Sequence, residues 1–177
     1  MKTPKFIGAK DGTVAIEFAF IAPILILLFL GTIELCNALI CRQKVTTVAA
    51  SAADLVAQNA STTASQINDV FSALNAIVYP YPSSGAKIVI TSIKEDPNHV
   101  GQYVVALSRA QNTLARTKNA SITVPAGLVT SGASVIFAEI SYTYTPPSNR
   151  VIKVPFTMSD SFYARPRQSA LVDCPDC

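Results

Sequence analysis

Tryptophan is absent, histidine occurs once, and charged residues make up only 14% of the chain. Each scarcity excludes something. Lys and Arg are scattered, the net charge is only +3, and no stripe of aromatic and basic residues appears, so the footprint of a nucleic-acid binder is missing. There is no GxSxG nucleophile elbow and no GxxxxGK[ST] phosphate loop. The single His99 lies in EDPNHVG, a turn between strands, where a solvated role outweighs that of a catalytic base. Glu95 and Asp96 share that turn, but consecutive side chains diverge and do not form an acid/base pair. No catalytic residue and no cofactor is expected, and the chain does not read as an enzyme.

Cysteines are few as well, four in all. Cys36 and Cys41 lie on or beside an apolar segment, and Cys174 and Cys177 form a CPDC. A structural zinc site needs a second pair of ligands free of lipid, so no metal is expected. In an oxidising compartment, a disulfide between Cys174 and Cys177, or between either of them and another subunit, is favoured. The CPDC closes the sequence instead of opening a thioredoxin-like helix, which favours a structural or tethering use over redox activity.

Hydrophobic residues are abundant, and they are concentrated in one place. The stretch GTVAIEFAFIAPILILLFLGTIEL runs from Gly12 to Leu35, and about 20 apolar residues at roughly 1.5 Å each match a hydrocarbon core of about 30 Å. Only a helix satisfies its own backbone there, and Pro23 costs little near a helix start. A carboxylate at mid-span costs on the order of 3 kcal/mol, so Glu17 calls for a positive or hydrogen-bonding partner, unless it lies at the headgroup level and reaches for water. Glu34 reads as reaching for water at the other end. Lys2, Lys5 and Lys10 before the span favour a cytoplasmic N-terminus, although Arg42 and Lys44 after it weaken that asymmetry. Around TIELCNALIC neither a small-x-small cleavage site nor a lipidation signal is present, so the span is expected to stay attached.

Beyond the span, Val45, Val48, Ala49, Ala52, Leu55, Val56 and Asn59 keep a helical rhythm opposite Thr47, Ser51, Asp54 and Gln58. One continuous rod from about Thr13 to Asn59 is expected, about 70 Å long. Thr63 and Gln66 resemble a capping box opening a second helix, with Ile67, Val70, Phe71, Leu74, Ile77 and Val78 apolar and Pro80 ending it. The period then changes to strands: AKIVITSIK, QYVVALS, a shorter SITVPA, ASVIFAEISYTYT and RVIKVPFTMS. In the fourth, Ile136, Ala138, Ile140, Tyr142 and Tyr144 form one apolar face. PPSN then turns the chain, and the alternation of Ile152, Val154, Phe156 and Met158 suggests a hairpin, with Pro155 marking an edge strand. The fold class is α+β: a long N-terminal transmembrane helix continuing into an extracytoplasmic domain with a second helix and an antiparallel sheet. Residues 43–177 are enough for one small domain burying about two thirds of its unfolded surface.

Read together, KDG followed by TVAIEF places Gly12 just before the apolar helix and Glu17 as the fifth residue after it, behind a short basic leader. This resembles the prepilin-type signature of the TadE-like minor pilins, or pseudopilins, of tight-adherence (Tad/Flp) pilus systems. The similarity continues in GTIEL, SAADLVAQ, the second helix running into YP, VPAGL, EISYTYTP and SFYARPR, covering nearly the whole chain. A tryptophan expected between Gly101 and Arg109 is missing. The resemblance implies a pilin-like fold with a leader at 1–12, a transmembrane helix at 13–42 and an extracytoplasmic TadE-like domain at 43–177. It implies that a prepilin peptidase cuts between Gly12 and Thr13, with Glu17 as the assembly residue and Phe18 beginning the packing face. Implied partners are the lipid bilayer, the peptidase, other Tad pilus subunits and inner-membrane assembly proteins, with no nucleic acid. The implied location is the bacterial inner membrane, single-pass, with the C-terminal domain periplasmic and a route into the pilus. The alternative is an uncleaved single-pass periplasmic scaffold or binding module of the same fold.

Overall fold

The computed structural model describes residues 11–148 and 151–177. Lys2, Lys5, Lys10 and most of the expected leader lie outside the described residues.

The expected rod is present as α1 (Asp11–Ala57), 47 residues without a break, with Pro23 inside it. At the standard rise this is about 70 Å. Its first half is exposed all round, from Val14 and Phe18 to Phe29. Its second half carries one buried stripe, Ala38, Cys41, Val45, Val48, Ala49, Ala52, Ala53, Val56 and Ala57, whose three- and four-residue steps trace a single helix face. The small alanines bring the backbone close to what it packs on. Gly12 is already helical, and does not stand in a link ahead of the helix.

Helix α2 (Ala64–Val78) opens on the capping box expected from the sequence: the Gln66 amide donates to Thr63 Oγ1, and the Thr63 amide donates to Gln66 Oε1. Ile67, Phe71, Leu74 and Val78 are its buried face. A short 3₁₀ turn (Ser83–Gly85) leads into the sheet.

Four antiparallel strands follow: β1 (Ala86–Asp96), β2 (His99–Gln111), β3 (Ser134–Tyr144) and β4 (Phe156–Ala164), in the order β2-β1-β3-β4. The alternation in β3 has the expected sense. Ile136, Ala138, Ile140, Tyr142 and Tyr144 all join the core shared with α1 and α2. On the opposite face Phe137 stacks on Tyr163 at 4.3 Å between centroids and belongs to a second, smaller core with Ile93, Val124, Val129 and Val135.

Two strand assignments need correcting. SITVPA is not a strand: Ser121 makes one bridge to Val104, and the segment crosses the outer sheet face as a loop, inserting Val124 into the second core. Pro125 cannot donate to a ladder, and the run is too short to extend past it. β4 starts at Phe156, later than RVIKVPFTMS suggests, and continues to Ala164. Ile152, Val154 and Pro155 therefore belong to the connection. The edge position inferred from Pro155 holds for β4, with the proline just outside the ladder.

Register fixes which end of the domain faces the exposed half of α1. Ala86 pairs with Tyr142 and Tyr144 with Phe156, while the β1–β2 turn lies at the other end. Arg42 Nη1 donates to Ser159 O at 2.6 Å, Thr46 Oγ1 donates to Asp160 Oδ2 at 2.6 Å, and Arg167 pairs with Asp54. β4 therefore climbs α1 from Phe156, near its exposed half, towards the C-terminal end of the helix. There Arg167 N donates to Ala57 O at 2.9 Å and satisfies one of the carbonyls a helix end leaves unpaired.

Candidate functional site

The residues singled out by sequence lie at the free end of α1. A four-residue step puts Thr13 and Glu17 on one face, one turn apart. Glu17 is exposed, and so are its apolar neighbours Ile16 at 60% and Phe18 at 65%. A side chain added at Gly12 would meet nothing within 4 Å. No part of the most apolar window of α1 is buried against the rest of the described chain, whereas a core helix of that length would be largely covered. The helix is long and apolar enough to cross a membrane.

Glu34 behaves differently from expectation. It is 1% exposed and does not reach for water. Its carboxylate accepts from the amides of Val151 at 3.1 Å and Ile152 at 2.6 Å, and from the hydroxyl of Ser148. The β3–β4 connection is thus drawn down onto the outer end of the apolar stretch. Val151 also packs where Gly31 lacks a side chain, its methyl carbons 3.7 and 3.8 Å from the position a Cβ would take. The acid in GTIEL was visible in the sequence, but its partners are more than 110 residues away, and no local pattern announces them.

Around this junction sits an aromatic cluster. Tyr81 donates to Asn37 O at 2.8 Å and Tyr142 to Pro82 O at 3.2 Å. Tyr81 meets Tyr142 and Tyr144 edge-on, and Tyr144 meets Phe156 likewise. Burial pushes the Tyr142 phenol up to about 12. Higher on α1, the Thr46 hydroxyl, with help from the Ser161 amide and Arg42, holds the Asp160 carboxyl below its usual range against partial desolvation.

The remaining candidates lie apart from the helix end. Asp96 Oδ2 meets His99 Nδ1 at 2.8 Å, and Glu95 accepts from the Gly101 amide. All of this belongs to the exposed β1–β2 turn. Cys174 and Cys177 form a disulfide in a tail held against the start of α2, where Asp173 O accepts from Thr62 N and Asp176 from Ala64 N. Cys36 is exposed and Cys41 buried. An open groove of about 630 Å³ on the outer sheet face contains Lys87, Arg116, Glu139 and Asp160. Arg116 and Glu139 are paired with each other there, which is an interlock between strand and loop.

With that geometry in view, the model of the TadE-like protein family matches residues 12–54. The match covers the start of the apolar stretch, Glu17, Glu34 and most of the packed half of α1. Over that part of the chain it agrees with the resemblance read from KDG and TVAIEF. Comparison with curated proteins and with solved structures gave no match.

Proposed function

We propose that the protein is a membrane-anchored minor pilin or pseudopilin that takes part in assembly or priming of a tight-adherence pilus after prepilin peptidase cleavage between Gly12 and Thr13. Residues 13–42 then contain the inner-membrane segment, with the N-terminus cytoplasmic and residues 43–177 periplasmic. The observation that carries this reading is Glu17, an exposed carboxylate among exposed apolar side chains, one turn from Thr13. Cleavage would give Thr13 an α-amino group, cationic near neutral pH. Its attraction to Glu17, within the chain or across to a neighbouring subunit, offsets the cost of holding an acid in an apolar bundle.

Gly12 presents no side chain at the scissile bond, which eases the approach of the protease. Phe18 would begin the surface that neighbouring helices cover. The continuous α1 ties that surface to the sheet domain, which would contact other pilus and inner-membrane assembly components.

The test is mass spectrometry of the protein isolated from its native host. A chain beginning at Thr13, free or methylated, supports maturation. An intact Met1 in functional protein overturns it and favours an uncleaved single-pass scaffold.

A further inference from the structure

We infer that residues 151–156 are a second membrane contact, an apolar foot seated in the outer interfacial layer of the bilayer that α1 crosses. The inference rests on reading α1 as a span, and it concerns a different part of the chain.

The position of the foot follows from the helix. About 20 residues fill a hydrocarbon core, so a span opening near Val14 reaches the outer interface close to residue 33. Val151 packs on Gly31, at or slightly below that level. The segment cannot float away from it, because Glu34 holds the Val151 and Ile152 amides. What the segment then presents outward is apolar: Val154 is 70% exposed, Val151 42% and Phe156 39%. Lys153, also exposed, is placed to lay its methylenes along the acyl boundary with the ammonium among the headgroups.

A second exposed side chain lies higher, on the headgroup side of the foot. The Tyr81 hydroxyl bond to Asn37 O ties the end of α2 to α1 about two turns above Gly31, and nearby Tyr79 is 75% exposed. Tyrosine is a residue that membrane interfaces enrich, since its ring is apolar and its hydroxyl stays wet. The opposite end of the sheet carries Glu95, Asp96 and His99 in its turn. The far turn thus carries charged side chains beside its exposed Val100, while the segment next to the span exposes mainly apolar ones besides Lys153. The bilayer is the occupant committed to here, since the foot is continuous with the lipid-facing surface of α1. A stable protein partner would need a larger patch than these few side chains provide.

Because the chain has no tryptophan, a single introduced one reports its own surroundings. The full-length protein carrying Val154→Trp is reconstituted in phosphatidylcholine/phosphatidylglycerol vesicles. Val100→Trp, 94% exposed at the far turn in the wild type, is the matched control. With lipids brominated near the carbonyl end of their acyl chains, Val154→Trp should emit to the blue of the control and lose most of its intensity, while Val100→Trp is unchanged. Equal emission and equal quenching of the two variants, in vesicles that keep the protein through an alkaline wash, would overturn the foot and leave the span intact. Loss of both variants in the wash would overturn the span and the foot with it. A blue shift that vanishes on dilution with lipid would show that a second copy covers Val154, and would also overturn the proposal.

Discussion

Replacing Glu34 with alanine removes the acceptor for two backbone amides and one hydroxyl at once. An orphaned buried donor costs about 1–3 kcal/mol. Here Val151 is 42% exposed and Ser148 is at the surface, so water can replace part of what is lost, while the Ile152 amide is the more enclosed. The expected local loss is about 2–3 kcal/mol. The effect should be confined to the β3–β4 connection, because no core side chain is removed from the sheet. Amide hydrogen exchange in detergent or nanodiscs reads it directly. Protection at Val151 and Ile152 should fall by roughly 30- to 100-fold, with β1 and β3 amides little changed. Glu34→Gln provides the sharper comparison. Both backbone amides share Oε2, so a glutamine oxygen placed there keeps them, and its NH₂ can donate to the Ser148 oxygen. The charge assistance of these bonds is lost, about 1 kcal/mol. If Glu34→Ala left exchange at these two amides unchanged, or if glutamine cost as much as alanine, the acceptor geometry would not be what holds the connection to α1.

Three further outcomes are expected. Glu17→Ala should be cleaved normally but enter pili poorly: leaving the Thr13 amino group unpaired among apolar helices costs about 3 kcal/mol, a factor of roughly 100 in incorporation, scored by subunit content of sheared pili; wild-type incorporation would refute the pairing. Gly12→Val should block maturation, seen as a chain that keeps the mass of Met1–Gly12 in cells where the wild type is cut. Asp160 carries a pH dependence. Its folded pKa lies below the ordinary value of 3.8, so its contribution is fully present above that value and is lost as pH falls through the lower folded one. Thermal unfolding of wild type should therefore weaken below 3.8, and Asp160→Asn should flatten that acid limb; identical limbs would show that the Thr46 contact does not stabilise β4 against α1.

Local periodicity made much of the fold readable. The stripe from Val45 to Val56 and the capping box at Thr63 and Gln66 depend on neighbours within one or two turns, and both appear as expected. The apolar face of β3 was equally plain, because alternation over nine residues from Ile136 to Tyr144 leaves one choice of face. What failed depends on distant partners. Ile122 and Val124 have strand-like neighbours but cover the second core as a loop, and Ile152 and Val154 continue the alternation of β4 without joining its ladder. The reason in the second case is Glu34, which takes up the amides of Val151 and Ile152. A sequence shows a carboxylate at the end of an apolar run, but not which segment returns to meet it.

The two acids of the apolar helix can now be compared. They stand 17 positions apart, about 25 Å along the axis, and the structure treats them oppositely. Glu34 is buried and satisfied by its own chain, and the cost of removing it from water is met by donors that fold with it. Glu17 is exposed on a surface that no other part of the described chain covers. An acid already enclosed by its own domain is poorly placed to discriminate between neighbours, since nothing changes at it when another helix arrives. An acid left on an apolar face gains most when such a neighbour brings a cation, and the gain disappears if the cation is missing. On the proposed function, Glu17 is therefore the position where subunit joining would be conditional on maturation, whereas Glu34 fixes the β3–β4 connection against α1.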